Sequence, residues 1–100
     1  MYDKKHLTKF KNLGELAPDA FKAFMAFDEA AFSGGAIPLK YKELIAVAVA
    51  LATQCPYCIE IHTNRAKKAG ASEKELAETT MLAAALRAGG AITHGLHTLE

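Results

Sequence analysis

"ELIAVAVALATQCPYCIEIH", residues 43–62, is the stretch on which the fold turns. Its Ala-Val-Ala-Val-Ala core, residues 46–50, alternates in the way a strand does. Both alternating residues are apolar, however, and alanine is the strongest helix former. The stretch is therefore predicted as the end of a helix that starts at Pro38 and is apolar on every side after Leu44. A helix apolar all round needs cover all round. A chain of 100 residues has few helices to provide that cover, so a second subunit is expected.

The punctuation outside this stretch is also helical. Pro18 and Asp19 open a segment that Gly34-Gly35 ends, with Ala20, Phe24, Phe27 and Ala31 on one stripe that Phe21, Met25 and Phe32 widen. Pro56 opens the next, which runs to Gly70 with Arg65, Lys67 and Lys68 in its last turn, where cations suit the helix dipole. Ser72 and Glu75 form a capping-box pattern, and Gly89-Gly90 is read as the stop of that helix. "LTKFKNL" is a short leading helix, and the tail after Gly90 adds a turn or two. No segment shows strand periodicity and no repeat or linker is visible. The expected fold is all-α, about five to six helices in one compact domain over residues 1–100.

Composition narrows the function. Hydrophobic residues make up 51% of a chain that buries only about 60–65% of its unfolded surface, which again leaves apolar area for partner subunits. The net charge is +1, and no charge run points to nucleic acid or an anionic membrane. The apolar run 44–52 reaches about 14 Å as a helix, against roughly 30 Å of bilayer hydrocarbon. "MYDKKHLTKF" lacks the apolar core of a secretory signal, so a cytoplasmic protein is expected. In that compartment a Cys-x-x-Cys is more often catalytic or metal-binding than a structural disulfide.

Cys55 and Cys58 are the only cysteines. With Cys55 as N-cap and Pro56 at the first helical position, Cys58 falls in the first turn, where unpaired N–H groups and the dipole favour a thiolate. Cys58 is therefore expected to ionise easily. His62 lies one turn on, within roughly a 60° wedge of the same face. If the chain reverses at Thr53–Gln54, Glu43 lies about 13 Å and His62 about 10 Å from the reversal, which puts the two nearly level. Glu43 can then orient His62 as a base for the thiols.

Glu43, eleven residues, Cys55-Pro-Tyr-Cys58 and three residues to His62 together resemble the E-x(11)-C-x-x-C-x-x-x-H signature of alkylhydroperoxidase D-like proteins, within the carboxymuconolactone decarboxylase superfamily. "ELIAVAVALATQCPYC", "AGAS" and the Ala-rich helix before Gly89-Gly90 are similar too, so the likeness covers roughly residues 14–95. The resemblance implies a helical homo-oligomer, trimer or hexamer, that reduces hydroperoxides without cofactor or metal. By that resemblance Cys58 attacks the peroxide, Cys55 resolves the sulfenic acid as a disulfide, and Glu43 and His62 relay protons. A dihydrolipoyl or thioredoxin-like dithiol then reduces the pair. Tyr57 departs from the pattern, since well-known members carry a second histidine there. The decarboxylase branch does not use this dithiol, and having both cysteines argues against it.

Other readings stay open. The dithiol could exchange disulfides with a partner protein without peroxide. It could also be half of a zinc site, completed by His62 with His94 or His97, in a structural oligomer or binding module. His6, His94 and His97 are otherwise read as surface or interface residues, Arg87 as a candidate interface residue, and Tyr57 as packing over the dithiol or lining its entrance.

Overall fold

A computed structural model describes residues 2–100, and every described element is helical. A 3-10 helix, Lys4–Lys9, leads into α1 (Phe10–Leu16) and α2 (Pro18–Phe32). These are followed by α3 (Leu39–Thr53), α4 (Pro56–Lys68), α5 (Glu73–Gly95) and a closing 3-10 turn, Leu96–Leu99. The starts follow local chemistry. Pro18 and Pro56 occupy first-turn positions of α2 and α4, where a missing N–H is harmless. Ser72 and Glu75 close a reciprocal capping box on α5, with bonds of 3.1 and 2.9 Å.

α3 is the helix on which the others assemble: α4 and α5 pack on it extensively and α2 lightly. Two long cations tie the bundle by satisfying carbonyls that helix ends leave unpaired. Lys42 on α3 donates to the carbonyls of Ala31 and Ser33 at the end of α2. Arg87 on α5 donates to the carbonyl of Ala52 at the end of α3. Arg87 thus has an internal partner in the place where the sequence offered only a candidate interface.

Gly89-Gly90 does not stop α5, contrary to the sequence reading. The helix runs through both glycines to Gly95. A glycine ends a helix by taking a left-handed conformation, and among the described residues only Gln54 and Gly70 have positive φ. Inside a helix each glycine costs about 1 kcal/mol relative to alanine, which weakens the helix without breaking it.

One chain leaves much of its apolar surface uncovered. α3 buries Glu43, Leu44, Val47 and Ala50 on one face, while Ile45 and Val49 on the other are 51% and 55% exposed. The helix that is apolar all round is therefore covered on one side only. The accessible surface of 7685 Å² compares with about 5,500 Å² for a compact monomer of this mass. The radius of gyration, 16.6 Å, exceeds the roughly 13 Å of a compact 100-residue domain.

Candidate active site

The site is built on the reversal between α3 and α4. Gln54 adopts the left-handed conformation, φ 57° and ψ 48°. The N–H of Cys55 bonds to the carbonyl of Ala50 at 3.0 Å, and that of Gln54 to Leu51 at 3.3 Å. This 6→1 and 5→2 pair is the Schellman closure of a helix. The next residue, Cys55, is already the N-cap of α4, and its Sγ accepts the Cys58 N–H at 3.3 Å. Two residues, Gln54 and Cys55, thus separate the end of α3 from the start of α4, and the tight reversal anticipated at Thr53–Gln54 is present.

The charge order within the dithiol differs from expectation. Cys55, not Cys58, is held below the ordinary thiol range, because its sulfur accepts hydrogen bonds from the Cys58 thiol and N–H and from the Tyr57 N–H. Cys58 is pushed up to about 11, because it donates to Cys55, is partly buried and lies next to the charge that Cys55 carries. The expectation that Cys58 ionises easily is therefore overturned: the N-cap sulfur is the favoured thiolate, with the Cys58 thiol as its first donor and the first-turn N–H groups of Cys58 and Tyr57 adding to it.

Glu43 and His62 are level, as the helix rise requires. The Nδ1 of His62 lies 2.7 Å from Oε1 of Glu43, which is only 3% exposed. A carboxylate can only accept, so Nδ1 carries the proton and Nε2 of the neutral ring is left as an acceptor. Phe32 at the end of α2 stacks on the imidazole with ring centroids 5.0 Å apart and planes 7° from parallel. The sequence placed Phe32 in an apolar stripe and gave no sign of this contact, which comes from packing between distant segments.

Two open cavities meet at Cys58. One, of about 490 Å³, is walled by Phe10, Phe21, Phe24, Met25 and Ile61 and holds Cys58 with His62, Asp28 and Arg65. The other, of about 470 Å³, holds both cysteines with His6, Lys9, Phe10, Leu13 and Tyr57. Tyr57 lines the dithiol cavity as expected. Its hydroxyl accepts the Asp3 N–H at 3.1 Å and bonds with Nδ1 of His6 at 2.9 Å, and the Tyr2 ring meets its ring edge-on. The leading 3-10 helix is therefore tied across the Cys-x-x-Cys turn. His6, read from sequence as a surface or interface residue, belongs to the cavity wall; it lies 51 positions before Tyr57, so no local pattern could have shown this.

Cys55, Cys58, His62 and Glu43 thus come together around one reversal. The zinc reading finds no such support: among the described residues no group of three or more His, Cys, Asp or Glu is placed to hold a metal. His94 and His97 tilt against each other, with ring centroids 6.0 Å apart. No described helix is long and apolar enough to cross a membrane.

Comparison with known proteins points one way. Residues 18–100 match the sequence profile of the Carboxymuconolactone decarboxylase family. Uncharacterised protein 4 of the cox locus of Paracoccus denitrificans is 46% identical over 72 residues, 72% of this chain and 65% of that protein. An uncharacterised protein of Haemophilus influenzae is 45% identical over 96 residues, covering 95% of this chain and 85% of its own length. Among solved structures, an apo carboxymuconolactone decarboxylase family protein of Legionella pneumophila superposes with a TM-score of 0.79 at 36% identity, over 83% of this chain and 74% of that one. A protein of Methanobacterium thermoautotrophicum gives 0.84 at 34% identity, over 90% and 98%. The profile match takes in all four predicted site residues and leaves out the leading 3-10 helix with His6.

Proposed function

The chain belongs to the carboxymuconolactone decarboxylase family, and from that premise we propose that it is a thiol oxidoreductase that reduces hydroperoxides through Cys55 and Cys58. The observation that carries the reading is the shared cavity: Cys58 opens onto the same apolar space as His62, whose ring is fixed by buried Glu43 and stacked on Phe32. Such a base with an orienting partner is what an activated nucleophile requires.

The raised Cys58 assigns a task to that base. Cys58 gives its proton to Nε2 of His62, and the thiolate attacks the terminal peroxide oxygen. The O–O bond breaks, the departing alkoxide takes the proton from the imidazolium, and Cys58 becomes a sulfenic acid. Cys55, already biased toward thiolate, then attacks the Cys58 sulfur. An S–S bond forms, the hydroxyl leaves, and a proton from solvent completes a water. Two electrons have passed from the dithiol to the peroxide. An external dithiol restores the pair by exchange.

We read the working species as a cytoplasmic homo-oligomer, a trimer or hexamer. The excess accessible surface and the exposed Ile45 and Val49 of α3 support it.

The test is hydroperoxide-dependent disulfide formation, followed by the mass of alkylated protein. Peroxide should oxidise the wild type to a disulfide, Cys58→Ser should remain unoxidised, and Cys55→Ser should stop at a dimedone-reactive sulfenic acid. Disulfide formation that ignores peroxide would sink the reading. The lowered Cys55 favours a second reading, in which that sulfur exchanges disulfides with a protein partner. Reduction of a protein disulfide without peroxide, lost in Cys55→Ser, is its signature.

A further inference from the structure

The charges around the dithiol cavity are segregated, although the chain is almost neutral. Lys4, Lys5, Lys9 and Lys11 fall within eight residues, and no acidic residue lies between Lys4 and Gly14. Asp3 and Glu60 are the acidic groups that bond to this segment, and Glu60 pairs with Lys4 at 2.9 Å. The ammonium groups of Lys5, Lys9 and Lys11 have no ion pair or hydrogen bond among the described residues. Lys9 and His6 line the cavity that contains both sulfurs, and no acidic side chain lines it. Phe10 and Leu13, at its wall, are 48% and 52% exposed. An apolar centre within a charged rim is the composition of a transient protein contact.

Of the two sulfurs, Cys55 lines only the cavity edged by Lys9 and His6, whereas Cys58 also lines the one that holds His62 with Asp28 and Arg65. We propose that the leading 3-10 helix and α1 form the docking face for a protein reductant whose own dithiol sits in an acidic surface. This deepens the dithiol reading and rests on it. The partner's thiolate attacks Sγ of Cys55 in the oxidised pair, and the Cys55–Cys58 bond breaks as Cys58 leaves and takes up a proton. The partner's second thiol then attacks the mixed disulfide and releases Cys55. Two electrons enter this chain, and the partner departs as a disulfide. The lysines steer the acidic face to the mouth of the cavity before exchange begins. A peroxide has no need of this charge, which leaves the two cavities to two different visitors.

The experiment starts from protein oxidised with diamide, so no peroxidase activity is required. The rate of reduction by a reduced thioredoxin of net negative charge is divided by the rate with dithiothreitol. The quotient should fall at least about tenfold in Lys5→Glu/Lys9→Glu. It should fall similarly as ionic strength rises from about 0.01 M to about 1 M, which shortens the Debye length from roughly 30 Å to roughly 3 Å. A quotient indifferent to both overturns the proposal, as does failure of thioredoxin to react where dithiothreitol succeeds. Dihydrolipoate and dihydrolipoamide differ only in one carboxylate. A charge preference confined to that pair would assign the lysines to a small anionic dithiol and overturn docking by a protein. Failure of dithiothreitol itself would sink the dithiol reading, an outcome distinct from these.

Discussion

His62 donates from Nδ1 to Oε1 of Glu43 at 2.7 Å, across the contact between α3 and α4. Glu43 is the one buried polar or charged residue among those described. A carboxylate placed so deep is costly unless it is bonded, so its retention is best understood through what it does to the imidazole. Glu43→Gln keeps the shape and an accepting oxygen but removes the charge that steadies the imidazolium formed during turnover. Hydroperoxide reduction should fall about a hundredfold in kcat/KM with helical circular dichroism unchanged. Unaltered kinetics would remove Glu43 from the mechanism.

Phe32 acts on the face of the same ring, whereas Glu43 bonds at its edge. Its stacking holds the imidazole plane, and with it the direction of Nε2. Phe32→Leu keeps apolar volume and loses the flat partner, so kcat should drop about tenfold while KM for a bulky hydroperoxide changes little. An equal loss in the binding of substrate would mean that Phe32 serves as cavity wall instead.

Helix starts and the level pairing of Glu43 with His62 were legible because both follow from local rules, a proline or cap at a first turn and a rise of 1.5 Å per residue. Gly89-Gly90 misled because composition announces a stop only when the backbone also turns left-handed, and nearby packing decides that. Phe32 and His6 reach the site from segments with no periodic relation to the cysteines. The order of charge on the two sulfurs was hidden for another reason: the helix mouth favours a thiolate, but which sulfur takes the charge depends on which one accepts the hydrogen bonds.

Two helix ends make a matched pair. Gln54 and Gly70 each occupy the left-handed position after a helix, with φ of 57° and 98°. A side chain there costs roughly 1 kcal/mol or more. Gln54→Gly should therefore raise stability by up to about 1 kcal/mol, and Gly70→Ala should lower it by about 1–2 kcal/mol, read as shifts in denaturation midpoint. No atom lies within 4 Å of the Cβ that Gly70→Ala would add, so strain rather than collision is what the second variant measures.

The uncovered face of α3 makes a prediction about mass. Val49 is 55% exposed in the single chain, so Val49→Glu would cost little in a monomer. In an oligomer sealed by that face it buries an unpaired charge. Sedimentation should show a trimer or hexamer for the wild type and dissociation in Val49→Glu, with the wild-type melting temperature rising with protein concentration. A wild type that sediments as a monomer would refute the assembly and leave the dithiol chemistry untouched.

The dithiol itself gives the pH test. Cys55 lies below the ordinary thiol range and Cys58 lies up at about 11, so alkylation of the reduced protein should proceed in two separate steps. Only the thiolate reacts. As pH rises, iodoacetamide should label Cys55 first, with a midpoint below that of free cysteine, and Cys58 only well above it. Cys55→Ala removes both the acceptor and the charge that raise Cys58, so the remaining thiol should titrate lower than it does in the pair. The reverse order of labelling, with Cys58 first, would mean that the helix mouth charges the first-turn sulfur after all. The proton that His62 is asked to remove would then already be gone at neutral pH.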